Sequence, residues 1–541
     1  MNFEIFKNKK ITDYFIGLII SISAAIYAIQ QIVVGYYSDF SFLFTGIASF
    51  LITSYVFLFS FERVKRIIIN DKSVGVMAVF CGICISRMGY LCKGIVFYQE
   101  GFRLIINVFR LRWYIISAIA VIYYLILFFD EVRNSITELL SKTSERLKKV
   151  YIIISVVLTI VIVFSYIRNI MWFQMFDNVN GMDSRWCYEV IYKDVNYYDI
   201  RHPILGNLLF PIYAVVNSIL ELVAPANLIL RISAALFQIL HIQCLLLMGL
   251  MLSALTKKMS SFLIYVVSFP TLLLFMAFEK YQICIFLVVL YVYEYVSDKK
   301  RAMTAVLLTG VIPTNGAIIF IELLGNRTIK EKFKSIIMIV FMGAATLVMS
   351  GRVFLLNFAE VSSQISKMHH TFGRSTLSFF ERSCAFLNMI KGSFIGLSSV
   401  ITGKAYSWEN VCSIPDLLSI FLLVIILVGI ITKFKSVITK VCLFVLVESF
   451  ALIVLINWAP YEAPVFSIFF SWAYIVLFVY GIEFLLGFIV NKRKMIEVSL
   501  IILMAIINLS MVIDIDQFLM EANPQEVVMP VQQRSGLIQD K

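Results

Sequence analysis

Charge is scarce in this chain. Only 15% of its 541 residues are Asp, Glu, Lys or Arg, whereas 60% are hydrophobic, and the mean hydropathy is +0.90. A soluble protein of this size cannot hide that much apolar surface, so the bilayer is its natural solvent. Histidine is scarcer still, with four residues, which leaves little for a histidine-rich metal site. Cys81 and Cys84 have the spacing of half a zinc site, but no second pair and no nearby histidine completes it. The opening MNFEIFKNKK lacks the small-residue cleavage site of a secretory signal and reads as the lead into a first membrane span. No clear internal repeat is visible, which counts against an ordinary transporter of two similar halves.

The charges that are present cluster between apolar runs. The formal net charge of +12 could suggest a nucleic-acid partner. The basic residues sit instead in short loops beside hydrophobic segments, where they set orientation and touch anionic headgroups. Cys81, Cys84, Cys244, Cys284 and Cys442 lie in or beside apolar runs and read as small core residues. Cys187 and Cys412 fall in segments expected outside the cytoplasm, where a disulfide between them is one option. Abundant Lys, Ile, Asn and Phe point to an AT-rich bacterial genome, and so to the bacterial inner membrane.

At about 20 residues per span, the apolar runs predict an all-α, polytopic membrane protein with roughly twelve to fourteen membrane segments. Runs 11–34, 40–61, 74–90, 113–129 and 150–166 come first, and 130–149 forms a charged inner loop or amphipathic helix. The alternation of basic loops then places the stretch after residue 166 outside. Beyond Pro211 the alternation fails. Runs 205–222 and 228–253 cannot both cross if Lys257 and Lys258 are inside, so one of them is expected to be re-entrant, interfacial or broken. Runs 261–275 and 283–296 predict a hairpin whose tip, Glu279-Lys280-Tyr281-Gln282, points outward. Run 302–324 is interrupted by Gly310-Val311-Ile312-Pro313-Thr314-Asn315-Gly316, which predicts two half-helices. Residues 1–513 read as a single transmembrane catalytic domain, with a first large outer loop at 170–203 and a second outer region at 351–415. Residues 514–541 read as an outer C-terminal tail.

The polar stretch 177–211, flanked by apolar runs, is the first place to look for chemistry. Asp183 follows Gly181-Met182 at the outer mouth of a span. It reads either as a helix N-cap or as a general base that takes the proton of an attacking hydroxyl. Asp199 and His202 lie in Tyr197-Tyr198-Asp199-Ile200-Arg201-His202-Pro203, where Pro203 suits the first turn of the next helix. They read as a cap with interfacial tyrosines, or as a polar edge that binds substrate.

An early acidic residue in the first large outer loop, followed by Asp-x-x-His-Pro opening a helix, resembles the protein O-mannosyltransferases and their bacterial relatives. These are membrane glycosyltransferases of the C superfamily. The resemblance implies that Asp183 is the catalytic base and that Asp199 and His202 serve the substrate. It also implies a polyprenyl-phosphate-linked sugar donor, an extracytoplasmic site and inversion at the anomeric carbon. The family's Asp-Glu pair is here Asp183-Ser184, and the similarity in specific residues covers the first loop and adjoining helix.

Further outer polar residues fit a substrate site. Lys280 could meet a lipid phosphate or pair with Glu279. Arg352, His369, His370 and Arg374 form a second set, since arginine suits phosphate oxygens through its planar fork. The adjacent histidines admit a divalent metal, but carboxylates at defined positions are missing, so no metal ligand is assigned. Asn315 would line the cavity, and Trp458 and Tyr461 would stack on a sugar or anchor at the interface. The expected activity is transfer of a sugar from a polyprenyl-phosphate donor to a cell-envelope glycan, lipid or protein. The alternatives are a polysaccharide polymerase or ligase centred on arginines, and a transporter or flippase for a lipid-linked sugar.

Overall fold

The computed structural model describes residues 11–30, 39–92, 113–168, 172, 187, 205–324, 327–349, 362, 366, 376–396, 399–402, 405–408, 417–458, 460, 463–488 and 492–521. The chain is an all-α, multi-pass membrane protein, with one short antiparallel hairpin between Ser399–Thr402 and Ala405–Trp408. Seven described helices are long and apolar enough to cross a membrane: Ile11–Ile29, Leu43–Asn70, Glu145–Arg168, Leu228–Thr256, Val437–Leu455, Val465–Leu486 and Arg493–Glu521. The pair Met259–Val267 and Phe269–Met276, bent by 59° at Ser268, makes an eighth if it counts as one span. Shorter apolar helices include Tyr281–Val296, Ala302–Val311 and Leu417–Thr432. In lipid every backbone N–H and C=O must be satisfied within the chain, which is why these apolar runs become helices. The Glu145–Arg168 helix buries Leu147, Ile162 and Tyr166 and exposes Ile153, Val156, Val157, Ile160 and Phe164, an apolar face suited to lipid.

The chain divides into two compact units. The first comprises Met1–Ser141, Glu189–Val223 and Leu290–Lys367. Phe57, Phe61, Tyr123, Leu127, Met303 and Val306 lie in its core. Glu131, almost fully buried, accepts the backbone N–H groups of Met303 and Thr304 at 3.0 and 3.1 Å. It thereby supplies the acceptor that the first turn of Ala302–Val311 lacks. The interruption expected at 310–316 is present: the α-helix ends at Val311, and a 3-10 helix runs from Pro313 to Leu323. Arg301 returns from the base of the first piece to Glu322 at the end of the second.

The second unit comprises Lys142–Tyr188, Ala224–Val289 and Met368–Lys541. A close helix crossing in this unit lies between Leu417–Thr432 and Ala463–Leu486. A Cβ on Gly429 would stand 2.0 Å from the carbonyl oxygen of Leu477, and one on Gly481 would stand 2.0 Å from that of Ile425. The two backbones touch only because neither position carries a side chain, the small-residue packing that lipid-embedded helices favour.

Of the alternatives expected for runs 205–222 and 228–253, a break within either helix is absent. Leu205–Val223 and Ala226–Thr256 are both continuous helices, and Pro225 sits at the N-cap of the second, where its missing N–H costs nothing. The bend falls at Ser268, with Pro270 in the first turn of Phe269–Met276. Asn508 of the Arg493–Glu521 helix holds this bend together. Its amide donates to the carbonyls of Val267 (2.8 Å) and Phe394 (2.7 Å), and its Oδ1 accepts the N–H of Gly396 at 2.9 Å.

Candidate functional site

The second half of the bent pair ends at Met276, and a helix end inside a membrane protein leaves carbonyls that lipid cannot satisfy. Side chains from three elements take them. Gln238 Nε2 donates to the carbonyls of Leu274 (2.7 Å), Phe275 (2.9 Å) and Ala277 (3.2 Å). Gln282 Nε2 donates to those of Leu274 (3.2 Å) and Ala277 (2.9 Å), and the Tyr166 hydroxyl donates to that of Met276 at 2.9 Å. Gln238 is held in turn by His241, whose Nδ1 lies 3.1 Å from Gln238 Oε1 and whose ring packs 5.1 Å from that of Phe278.

Immediately beyond this capped end stand Glu279 and Lys280. Both are buried, with only 1% and 5% of their surface exposed. The Cys187 thiol donates to Glu279 Oε2 at 3.2 Å, and Lys280 Nζ lies 3.8 Å from the same sulfur and 4.5 Å from the centre of the Tyr281 ring. Burial, with the Glu279 carboxylate beside it, pushes the Cys187 thiol well above its ordinary range and outweighs the opposing Lys280 ammonium. Cys187 is therefore a protonated donor to the carboxylate and not a thiolate nucleophile. Its free, buried thiol also removes the option of a disulfide to Cys412. Nearby in sequence, the buried Trp172 donates its indole N–H to Asp516 at 2.6 Å.

A carboxylate and an ammonium so far from water are costly unless each finds compensating charge or donors. Glu279 has the thiol. Lys280 has the Tyr281 face and follows the negative end of the Phe269–Met276 helix by four residues. Both charges are thus held away from water, in surroundings where electrostatic interactions are stronger than at a solvated surface.

Three of the residues singled out from the sequence are described. Lys280 is the one the structure sets in a polar cluster, and its neighbours Glu279 and Gln282 in that tip are buried with it. Asn315 lies on the 3-10 helix Pro313–Leu323 of the first unit, and its buried side-chain amide nitrogen has no hydrogen-bond partner. Trp458 follows the π-helical turn Ala451–Leu455 of the second unit and donates its backbone N–H to Leu452 at 3.1 Å. Asp183, Asp199, His202, Arg352, His369, His370, Arg374 and Tyr461 lie outside the described residues. Gln238, His241 and Tyr166 were missed by sequence reasoning because they lie within apolar runs, and Gln282 was named only as part of the polar tip, without a role. The one available signal was the spacing of Gln238 and His241, three apart and so on one helix face. Among the described residues, no group of three or more His, Cys, Asp or Glu side chains could hold a metal ion. Compared with family models, curated proteins and solved structures, the chain finds no match.

Proposed function

We propose that the chain is an inverting glycosyltransferase of the C-superfamily type, moving a sugar from a polyprenyl-phosphate donor to a cell-envelope glycan, lipid or protein on the outer face of the bacterial inner membrane. The observation that carries this reading is Lys280, an ammonium buried beside Glu279 at the capped end of a bent membrane helix. In the proposed reaction the acceptor oxygen bonds to the anomeric carbon as the bond from that carbon to the donor phosphate oxygen breaks. The acceptor proton passes to the Asp183 carboxylate, and the electron pair leaves with the phosphate. Lys280 answers the charge that grows on that leaving group, so no acid is needed behind it. Asp199 and His202, with Arg352, Arg374 and the aromatic rings of Trp458 and Tyr461, then serve binding of donor and acceptor.

The capped carbonyls favour an enzyme over an ion-coupled transporter or flippase. Transporters use the free carbonyls of broken helices to coordinate their cations. Here the carbonyls of Leu274, Phe275, Met276 and Ala277 are already taken by glutamine and tyrosine donors.

The test is sugar transfer from a radiolabelled polyprenyl-phosphate donor in proteoliposomes. Asp183→Asn is expected to abolish transfer with insertion and folding intact, and Lys280→Met to lower turnover at least tenfold. Unchanged turnover in Asp183→Asn would remove the assigned mechanism. Lipid movement or ion flux without a glycan product would replace the reading by transport.

A further inference from the structure

In the first unit, helix Trp113–Lys142 meets the last turn of Tyr281–Val296 and the first turn of Ala302–Val311 through two carboxyl groups, Glu131 and Glu294. Only 3% and 0% of their surface is exposed. Glu131 Oε1 is well served: besides the backbone N–H groups of Met303 and Thr304, the Thr304 hydroxyl lies 3.4 Å from it. Glu294 Oε1 accepts the Ser135 hydroxyl at 2.7 Å. Ser135 is buried and stands four residues after Glu131, one turn along the same helix, so it brings the two carboxyls to one helix face. The charge of Glu131 acts on Glu294, and Thr304 interacts with both.

The second oxygen of each carboxyl is unmet. Glu131 Oε2 and Glu294 Oε2 are both buried, and neither has a hydrogen-bond partner. The basic side chains around them are engaged elsewhere. Arg63 gives Nε and Nη2 to Asp130 at 3.0 and 2.6 Å, which leaves its Nη1 3.9 Å from Glu131 Oε2. Lys299 Nζ lies 2.8 Å from Glu138 Oε2, and Arg301 is forked onto Glu322, which also takes the Tyr291 hydroxyl. Arg66 and Lys300 are exposed and make no ion pair among the described residues. An ionised carboxylate offers about four acceptor sites, and burying it with those sites unmet is costly. Glu294 has one hydroxyl, and Glu131 shares a guanidinium already bound to Asp130. Two such groups on one buried face do not both stay ionised.

We propose that Glu131 and Glu294 bind one proton between them in the folded protein at neutral pH, and that this proton fastens Trp113–Lys142 to the last turn of Tyr281–Val296 and the first turn of Ala302–Val311. The proton neutralises one carboxyl and turns an unmet acceptor into a donor. Glu294, with fewer donors, is its main holder, while Glu131 stays ionised at the positive end of Ala302–Val311. Once the proton leaves, two buried negative charges repel and the contact loosens. The unfolded chain gives up the same proton in the ordinary carboxylate range. Above that range the folded state therefore holds more protons, and stability falls as pH rises. The proposal is independent of the glycosyltransferase reading, since it uses none of the residues at the Lys280 end.

Infrared spectra of the full chain, purified in detergent, are recorded at neutral pH in light and heavy water. Unfolding is followed from about pH 6 to about pH 9, above the ordinary carboxylate range. The native chain is expected to show the carbonyl stretch of a protonated carboxylic acid, shifted in heavy water, and Glu294→Gln to reduce it. The native unfolding constant should rise with pH, up to tenfold per unit where unfolding releases one proton. Glu294→Gln, neutral at every pH and carrying an amide donor, should lose that dependence. Ser135→Ala removes the donor to Glu294 and should keep the acid band to higher pH, so the test stays open even if Glu294→Gln folds poorly. A native spectrum without the band, a band unchanged in both variants, or equal pH dependence in the native chain and Glu294→Gln overturns the proposal. Stabilisation by sodium chloride over choline chloride, with no acid band and lost in Glu294→Gln, overturns it as well, because the pair then holds an alkali cation.

Discussion

Arg301 forks onto Glu322, Nε meeting Oε1 at 2.5 Å and Nη2 meeting Oε2 at 2.7 Å, with both side chains almost wholly buried. Tyr291 adds its hydroxyl to Oε1 at 2.9 Å. The pair spans the interruption between Ala302–Val311 and Pro313–Leu323. Removing Arg301 leaves the buried Glu322 carboxylate to the more exposed Arg327, whose Nη1 lies 3.6 Å from Oε2, and breaking a buried pair costs about 3–5 kcal/mol. Arg301→Met is accordingly expected to lower the unfolding midpoint of the detergent-purified protein steeply. Arg301→Met with Glu322→Met should lose less than Arg301→Met alone, since apolar replacement of both leaves no orphan. A double variant worse than the single one would show that the fork acts through something other than charge compensation.

The Gly429 and Gly481 contact gives a sharper steric prediction. Gly481→Ala sets a Cβ against the Ile425 carbonyl, which only a backbone shift can relieve. Overpacking of this kind costs about 1–3 kcal/mol. Gly75→Ala is the matched control, because a Cβ there meets nothing within 4 Å. It should leave stability unchanged or raise it by up to about 1 kcal/mol through helix propensity. Size-exclusion profiles and heat-inactivation midpoints of the two variants should diverge, and similar losses in both would count against the close crossing.

Gln238 and Gln282 share two carbonyls, Leu274 and Ala277, but Phe275 is served by Gln238. Gln238→Leu therefore orphans one carbonyl, at about 1–3 kcal/mol. Gln282→Leu orphans none of the three and should be milder. The double variant uncovers all three, so its loss should exceed the sum of the singles. Additive losses in thermal unfolding would show that the two amides do not back each other up.

Glu381 offers a pH-dependent measurement. Ser378 caps the Phe379–Gly392 helix, its N–H donating to Glu381 Oε2 at 2.7 Å while its Oγ accepts the N–H of Glu381 at 3.3 Å. The backbone bond from Ser378, followed by the one to its side chain, holds the Glu381 carboxyl below its usual range. A depressed carboxylate contributes stability that is present above its unfolded value and is lost as pH falls through its folded value. The midpoint difference between the native chain and Glu381→Gln should be largest at neutral pH and disappear below the usual carboxylate range. Ser378→Ala should cost about 1 kcal/mol at neutral pH. A Glu381→Gln difference that persists unchanged into acid would exclude the capping box as its source.

Much of the architecture could be read from the sequence. Apolar runs gave the helices, and Pro313 between Gly310 and Gly316 marked the one interruption that glycine and proline announce together. The bend at Ser268 escaped because Pro270 sits in a run otherwise indistinguishable from a continuous span, and a proline in the first turn of a helix leaves no gap in the hydropathy. The site was less legible. Lys280 stood out as a charge, but its burial depends on Cys187, 93 residues earlier. Gln238, His241 and Gln282 carry no motif at all; only the fold shows that a helix end needs their donors.

The bend at Ser268 bears on how the protein is made. The partners that complete it, Gly396 and above all Asn508, leave the ribosome long after residues 259–276 have entered the bilayer, since Asn508 lies 241 residues beyond Val267. Until the last helix arrives, the carbonyl of Val267 lacks the amide it will accept in the mature fold, and that unmet group keeps the early half of the unit unfinished. The Arg493–Glu521 helix is therefore the element that closes the bend after its other half is in place. Chains truncated before Asn508 are expected to leave this bend open and more sensitive to proteolysis than chains that include it.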